Sequence, residues 1–158
     1  DWSGFLRGRL DAVGPDAKAP LDGISRGGYR LVYVDSLSEA EKRIQTGWAN
    51  DFQYSLGFSL SSANRIGGVR WGSVAYEQGL GAGWDLIAVG DRAASAEALR
   101  EAITAAKGGS VPLTLTVKNG DRIRTLSIPY HDGLRYPRLE RVEGTPDVLG
   151  DILAPRRR

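Results

Sequence analysis

Tyr54-Ser55-Leu56-Gly57-Phe58-Ser59-Leu60 is the stretch whose residue types and spacing come nearest to a chemical device. Glycine at 57 permits a sharp step, and apolar residues at 58 and 60 alternate out of it as a strand. A tight turn that opens an edge strand aims several backbone N–H groups into one concavity. Such a nest holds a carboxylate, and the strand beside it can pair with an extended peptide. The amides near Gly57 and Phe58 would take the carboxylate, and Phe58 to Leu60 would take the strand. The chemistry is recognition rather than bond breaking. The same residues also make an ordinary glycine bulge, which the motif alone favours.

Other groupings carry less. His131 is the only histidine, and its neighbour Asp132 suggests a catalytic dyad or a metal site. Adjacent residues of a strand point to opposite faces, and one histidine without cysteine makes a poor zinc site, so a satisfied turn histidine is expected. No serine stands in a nucleophile-elbow sequence. Gly79, Gly81 and Gly83 resemble a phosphate loop only in composition, since no strand-then-helix context surrounds them. The four tryptophans, Trp2, Trp48, Trp71 and Trp84, read as packing, with Trp71 and Trp84 placed to line an interdomain surface.

Composition narrows the classes. A net charge of +2 over 158 residues argues against a nucleic-acid binder, and Arg156-Arg157-Arg158 reads as a frayed tail. With no cysteine there is no disulfide frame or thiolate. No apolar run reaches the ~20 residues of a membrane span. The absence of methionine and the opening at Asp1 suggest a piece of a longer protein.

The elements that must position the nest follow from periodicity and punctuation. Trp2, Phe5, Leu6 and Leu10 fall at helical spacing, with a stop at Gly14-Pro15; residues 21–28 read as loop, and Tyr29 to Val34 as strand. Ser38 and Glu41 form a capping box for a helix ending near Gly47. Strands are expected over Phe52–Leu56, Phe58–Ser61 and Ile66–Trp71, then one helical turn, Val74–Gln78, capped by Ser73. Asp85–Val89 reads as a buried strand, followed by a turn at Gly90-Asp91-Arg92. Ser95 caps the best helix, Ala96–Lys107, stopped by Gly108-Gly109. Leu99, Ala102 and Ala106 suit the core; Arg100, Ile103 and Lys107 lie on a stripe that could wall a groove, Ile103 reading equally well as core. Val111–Lys118 and Arg122–Ile128 flank Asn119-Gly120, a strong hairpin signal. The tail from Gly133 is less regular, with a short helix after Thr145-Pro146-Asp147 that ends at Pro155.

Taken in order, these elements resemble a PDZ domain over Tyr54 to Tyr130. Leu56-Gly57-Phe58 resembles the family's carboxylate loop, and Gly72 to Gly83 its small helix and glycine-leucine turn. Asp85 to Arg92 resembles its aspartate, apolar strand and asparagine-glycine-arginine element, departing at Gly90-Asp91. The flanks Asp1 to Leu6, Gly27 to Tyr33 and Tyr130 to Pro137 resemble the C-terminal region of bacterial glycyl aminopeptidases, zinc peptidases with a thermolysin-like catalytic domain followed by a PDZ domain. The zinc helix His-Glu-x-x-His of that family does not occur here.

The resemblance implies a mainly β fold with helices: a PDZ-like, partly open barrel or sandwich with two capping helices, plus an N-terminal helix-strand extension. The expected division is 1–50 as extension and tail of the catalytic region, 51–132 as the PDZ-like domain, and 133–158 as a tail with a short helix. The expected peptide-binding residues are Leu56, Gly57, Phe58, Ser59, Leu60, Ala96, Arg100 and Ile103. The first-turn position that often sets ligand class in such domains is Ala96 or Glu97. The implied partners are a peptide or protein C-terminus and the parent catalytic domain in cis, with no nucleic acid and no membrane. No cofactor is expected in this chain, zinc belonging to the parent's catalytic domain, and the parent is expected to be periplasmic or secreted. Two readings stand close together: a non-catalytic module that binds peptide C-termini or extended segments by strand addition, and a docking domain whose groove is filled intramolecularly. An independent enzyme is disfavoured by the missing catalytic constellation.

Overall fold

The computed structural model describes residues 1–11, 21–46 and 50–155. Its elements run α1 (Trp2–Leu10), α2 (Asp22–Arg26), β1 (Tyr29–Val34), α3 (Glu39–Thr46), β2 (Asn50–Phe52), β3 (Phe58–Leu60), β4 (Ile66–Val69), α4 (Val74–Glu77) and β5 (Asp85–Val89). They continue with β6 (Arg92–Ala93), α5 (Ala96–Ala105), β7 (Leu113–Asn119), β8 (Arg122–Ile128), β9 (Tyr136–Arg141) and α6 (Val148–Leu153). The mainly β architecture with helices is present, built on open sheets and no closed barrel. The expectations for Gly14-Pro15, Gly47, Trp48 and the terminal arginines lie outside the described residues.

The chain divides into a unit of Val32–Arg138 and a unit of Asp1–Leu31 with Leu139–Arg158. The larger unit holds the core. One sheet has the order β2-β3-β4, another β6-β5-β7-β8, all neighbours antiparallel. Alternation along β7 and the end of β8 sends Leu113, Leu115, Val117, Leu126 and Ile128 inward. They join Phe52, Leu56, Phe58, Leu60, Ile66, Leu86, Leu99 and Ile103 in one buried cluster. Ser95 caps α5 by accepting the Ala98 N–H, and Asn119-Gly120 closes the β7–β8 hairpin as its sequence predicts.

Several boundaries differ from expectation. The segment 53–57 is a turn rather than the end of a strand, and the strand before it is Asn50–Phe52. On α5 the buried face is Ala98, Leu99 and Ile103, while Ala102 and Ala106 are only partly buried against the core. A helix at 22–26, a short strand at Arg92–Ala93 and the strand Tyr136–Arg141 arise where loop, turn and irregular tail were expected. β9 lacks the β-branched runs that announce a strand; it forms by pairing with β1, 100 or so residues away in the chain.

The smaller unit is held by polar contacts. Arg141 donates to the carbonyl oxygens of Gly28 (2.7 Å) and Val142 (2.6 Å) and to the Thr145 hydroxyl (2.7 Å). Gly28 has φ +86°, and a Cβ there would lie 2.3 Å from the Pro146 carbonyl oxygen, so only glycine fits. Helices α1, α2 and α6 bury no residue fully.

Candidate functional site

The loop 53–57 is braced from three sides. The Arg70 N–H donates to the Gly57 carbonyl (2.7 Å) and the Ala75 N–H to the Leu56 carbonyl (3.2 Å). The buried Ser55 hydroxyl accepts the Arg135 N–H at 3.1 Å. Beneath the loop, Tyr130 is buried and donates to the Gly133 carbonyl at 2.8 Å; burial first, and the nearby Asp132 charge second, push its hydroxyl pKa up. Gly57 sits at φ +97°, and a Cβ there would lie 2.0 Å from that of Ser73. Both the conformation and the contact require glycine.

This turn gathers backbone donors, but not the pair expected from the sequence, Gly57 and Phe58. The N–H groups of Ser55 (3.1 Å) and Gly57 (2.9 Å) converge on one oxygen, and that oxygen is the carbonyl of Phe52. The nest is formed and holds an acceptor from its own chain.

β3 is the central strand of its sheet. β4 pairs on one edge and β2 on the other, in the register Phe52↔Phe58, Asp51↔Ser59 and Asn50↔Leu60. β2 runs antiparallel to β3 with its carboxyl end at the nest, the course a captured C-terminus would follow. Phe58 to Leu60 therefore offers no open edge while β2 is in place. The expected strand ran from Phe52 to Leu56; the fold instead ends it at Phe52 and lays residues 50–52 along β3.

The helix side of the site closes on two of these residues, Asn50 and Phe52. Arg100 of α5 donates to the Asn50 side-chain oxygen at 2.5 Å, and its guanidinium stands 5.8 Å from the centre of the Phe52 ring. Glu97 one turn earlier pairs with Arg100 at 3.3 Å. Among the other expected site residues, Leu56, Phe58, Leu60 and Ile103 are fully buried core, while Ser59 and Ala96 are half-buried. Phe52 is buried in the same cluster, its ring 6.1 Å from that of Phe58. Beyond Asn50 a cavity of about 460 Å³ opens between Asp35, Leu37, Lys42, Glu97, Leu134 and Tyr136.

His131 behaves as a turn residue, half-buried with Nδ1 3.3 Å from the Ala106 carbonyl oxygen. Among the described residues no three His, Cys, Asp or Glu side chains gather as a metal site, and no helix is long and apolar enough to cross a membrane. Trp84 is half-buried under Arg124, whose guanidinium is 5.9 Å from its ring, whereas Trp71 is 81% exposed and stacked on Tyr76 at 4.7 Å.

No protein-family model matches this sequence, and no curated protein matches it. Several solved structures are similar, two of them as follows. The PDZ domain of HtrA3, crystallised with the phage-derived ligand FGRWV, aligns over 71% of this chain and 92% of that domain, at 16% identity and a TM-score of 0.37. An aminopeptidase N family protein from Idiomarina loihiensis aligns over 98% of this chain at 20% identity and a TM-score of 0.56. The chain thus shares the fold of one region of that larger protein and spans 26% of its length.

Proposed function

We propose that this chain is a non-catalytic, PDZ-like peptide-recognition module of a longer peptidase, held in a self-occupied state by its own β2. The observation that carries the reading is the seat of Phe52: its carbonyl takes the Ser55 and Gly57 donors while its strand pairs with β3. A peptide ending in a free carboxylate offers the same nest two oxygens and a charge, and charge-assisted hydrogen bonds are about twice as strong as neutral ones. The incoming chain must nonetheless displace a tethered competitor, present at an effective concentration of the order of millimolar. Apparent affinity falls by the fraction of molecules in which β2 has left. The module therefore braces a partner domain by default and captures peptide when β2 yields.

The parent as a zinc aminopeptidase is part of the same proposal, supported by the flanking motifs and by the fold shared with the aminopeptidase N family protein. In that setting the catalytic domain is the partner in cis, and the chemistry lies outside this chain.

The test is amide chemical-shift titration with peptides ending in a free carboxylate, beside amidated controls, on the natural chain and on Asn50→Ala. Asn50→Ala removes the side-chain tie to Arg100 and leaves the core intact. Shifts at Ser55 to Leu60, lost on amidation and reached at lower peptide concentration in the variant, are expected. Identical titrations of the two chains would sink the self-occupied state. No shifts in either chain at millimolar peptide would sink peptide recognition.

A further inference from the structure

β2 also serves as a template for the ligand. We infer that the vacated site selects peptides with a large aromatic final residue and a carboxylate side chain two residues before it. The inference rests on the reading that β2 occupies the peptide's place, and it names what that place accepts.

The register supplies the positions. Phe52, opposite Phe58, stands where a final residue would lie; Asp51, opposite Ser59, precedes it; Asn50, opposite Leu60, is third from the end. Alternation points Phe52 and Asn50 to one face and Asp51 to the other. Phe52 enters the core cluster fully, so removing β2 leaves an apolar slot the size of a phenyl ring. Arg100 spans the two positions on that face, with its guanidinium near the Phe52 ring and a hydrogen bond to Asn50 Oδ1. An aromatic final side chain keeps the first contact and a smaller aliphatic one loses it.

The third-from-last position is where a peptide can surpass the internal strand. Asn50 offers Arg100 a neutral amide oxygen and donates its amide N–H in a long, 3.5 Å bond to the Leu60 carbonyl. Aspartate gives up that weak bond and turns a charge and two oxygens towards the guanidinium, in the planar arrangement it matches. Glu97 shares Arg100, but its side chain is 69% exposed and its 3.3 Å contact is within one helix, where such pairs contribute little. The cavity beyond Asn50 gives the preceding residues a path, with Lys42 and Glu97 on its walls. The middle position carries no selection, because Asp51 spends its carboxylate on the Gln53 N–H of its own turn (2.8 Å).

The experiment uses fluorescence anisotropy with three labelled pentapeptides ending Asp-Ala-Phe, Asn-Ala-Phe and Ala-Ala-Phe, plus one ending Asp-Ala-Val, each as free acid and amide. They are titrated against Asn50→Ala, where β2 is least tightly held, and against Asn50→Ala with Arg100→Gln. The expected order is Asp above Asn above Ala at the third-from-last position, with about tenfold between the extremes, a difference of ~1.4 kcal/mol. The valine-ended peptide is expected to bind several-fold more weakly. Arg100→Gln is expected to erase the Asp preference while amide sensitivity stays. Equal binding of all the free acids, still lost on amidation, would overturn the template inference and leave the peptide site standing. Absence of amide-sensitive binding for every peptide would overturn both.

Discussion

Two strands of the larger unit, β3 and β8, treat exposure differently. β3 carries Phe58 and Leu60, both fully buried, with no charge anywhere in the strand, and each of its edges is paired. β8 ends the four-stranded sheet, and among the described residues no strand lies beside the outer edge of its seven residues. Alternation places Arg122 and Arg124 on the same face as the buried Leu126 and Ile128, but beyond the core, where both are exposed and charge the open edge. Such charges would be desolvated by any strand packed there with a second apolar layer. Arg124 finds its outlet over the Trp84 ring instead. An uncharged apolar strand is built to be covered, and β2 covers it; a charged one can stay open.

Removing the cover should have the largest effect. Phe52→Ala deletes a ring that is 1% exposed, and truncating a buried phenylalanine costs about 3–5 kcal/mol. Thermal unfolding is the measurement, and a loss under about 1 kcal/mol would mean that β2 does not close this core. Gly57→Ala comes next. Its Cβ meets Ser73 at 2.0 Å in a positive-φ conformation, which combines strain and overpacking for a loss of about 3 kcal/mol in denaturant unfolding.

Loosening the cover without removing it gives a smaller, functional effect. Arg100→Ala takes away the grip on Asn50 and the contact with Phe52, and peptides lacking an acidic third-from-last residue should bind up to about tenfold more tightly. The opposite edge sharpens the contrast. Replacing Arg122 and Arg124 together by valine should raise the average mass in sedimentation velocity as concentration rises, with stability changed by under about 1 kcal/mol.

The smallest effect concerns the helix that leads towards β2. Glu41 accepts the Ser38 N–H and pairs with Arg138 (2.8 Å). The Ser38 hydrogen bonds, with Arg138 adding less, hold its carboxyl pKa below the ordinary 4.5. A lowered folded pKa contributes stability above the unfolded value and loses it as pH falls through the folded one. The Ser38 amide shift should therefore titrate with its midpoint below the ordinary 4.5, and Glu41→Gln should flatten that titration. A midpoint above 4.5 would show that the cap does not stabilise the carboxylate.

Much of the local structure was legible in the chain. Ser38 with Glu41, Ser73, Ser95 and the Asn119-Gly120 turn each mark an element boundary through a donor or a dihedral, and all four stand where their types imply. The sharp turn at Gly57 was legible for the same reason, since glycine accepts its φ of +97°, but the donors that converge there are Ser55 and Gly57 and not the expected Gly57 and Phe58. Arg100 was also visible, as a long side chain on the stripe beside the core face of its helix.

What occupies the nest was not legible. Phe52 read as the start of a strand running on to Leu56, whereas Asn50 and Asp51 disfavour strands, so the strand that forms, Asn50–Phe52, was shifted from the one expected. β9 was hidden likewise, with a proline second in the strand. Caps, turns and glycines are decided by neighbours within a few residues, so residue order alone determines them. Strand partners are decided by which edge the folded unit leaves uncovered: β2 turns back through the loop 53–57 onto β3, and β9 finds β1 far away in the chain, choices that depend on the packed sheet and not on the residues of either strand alone.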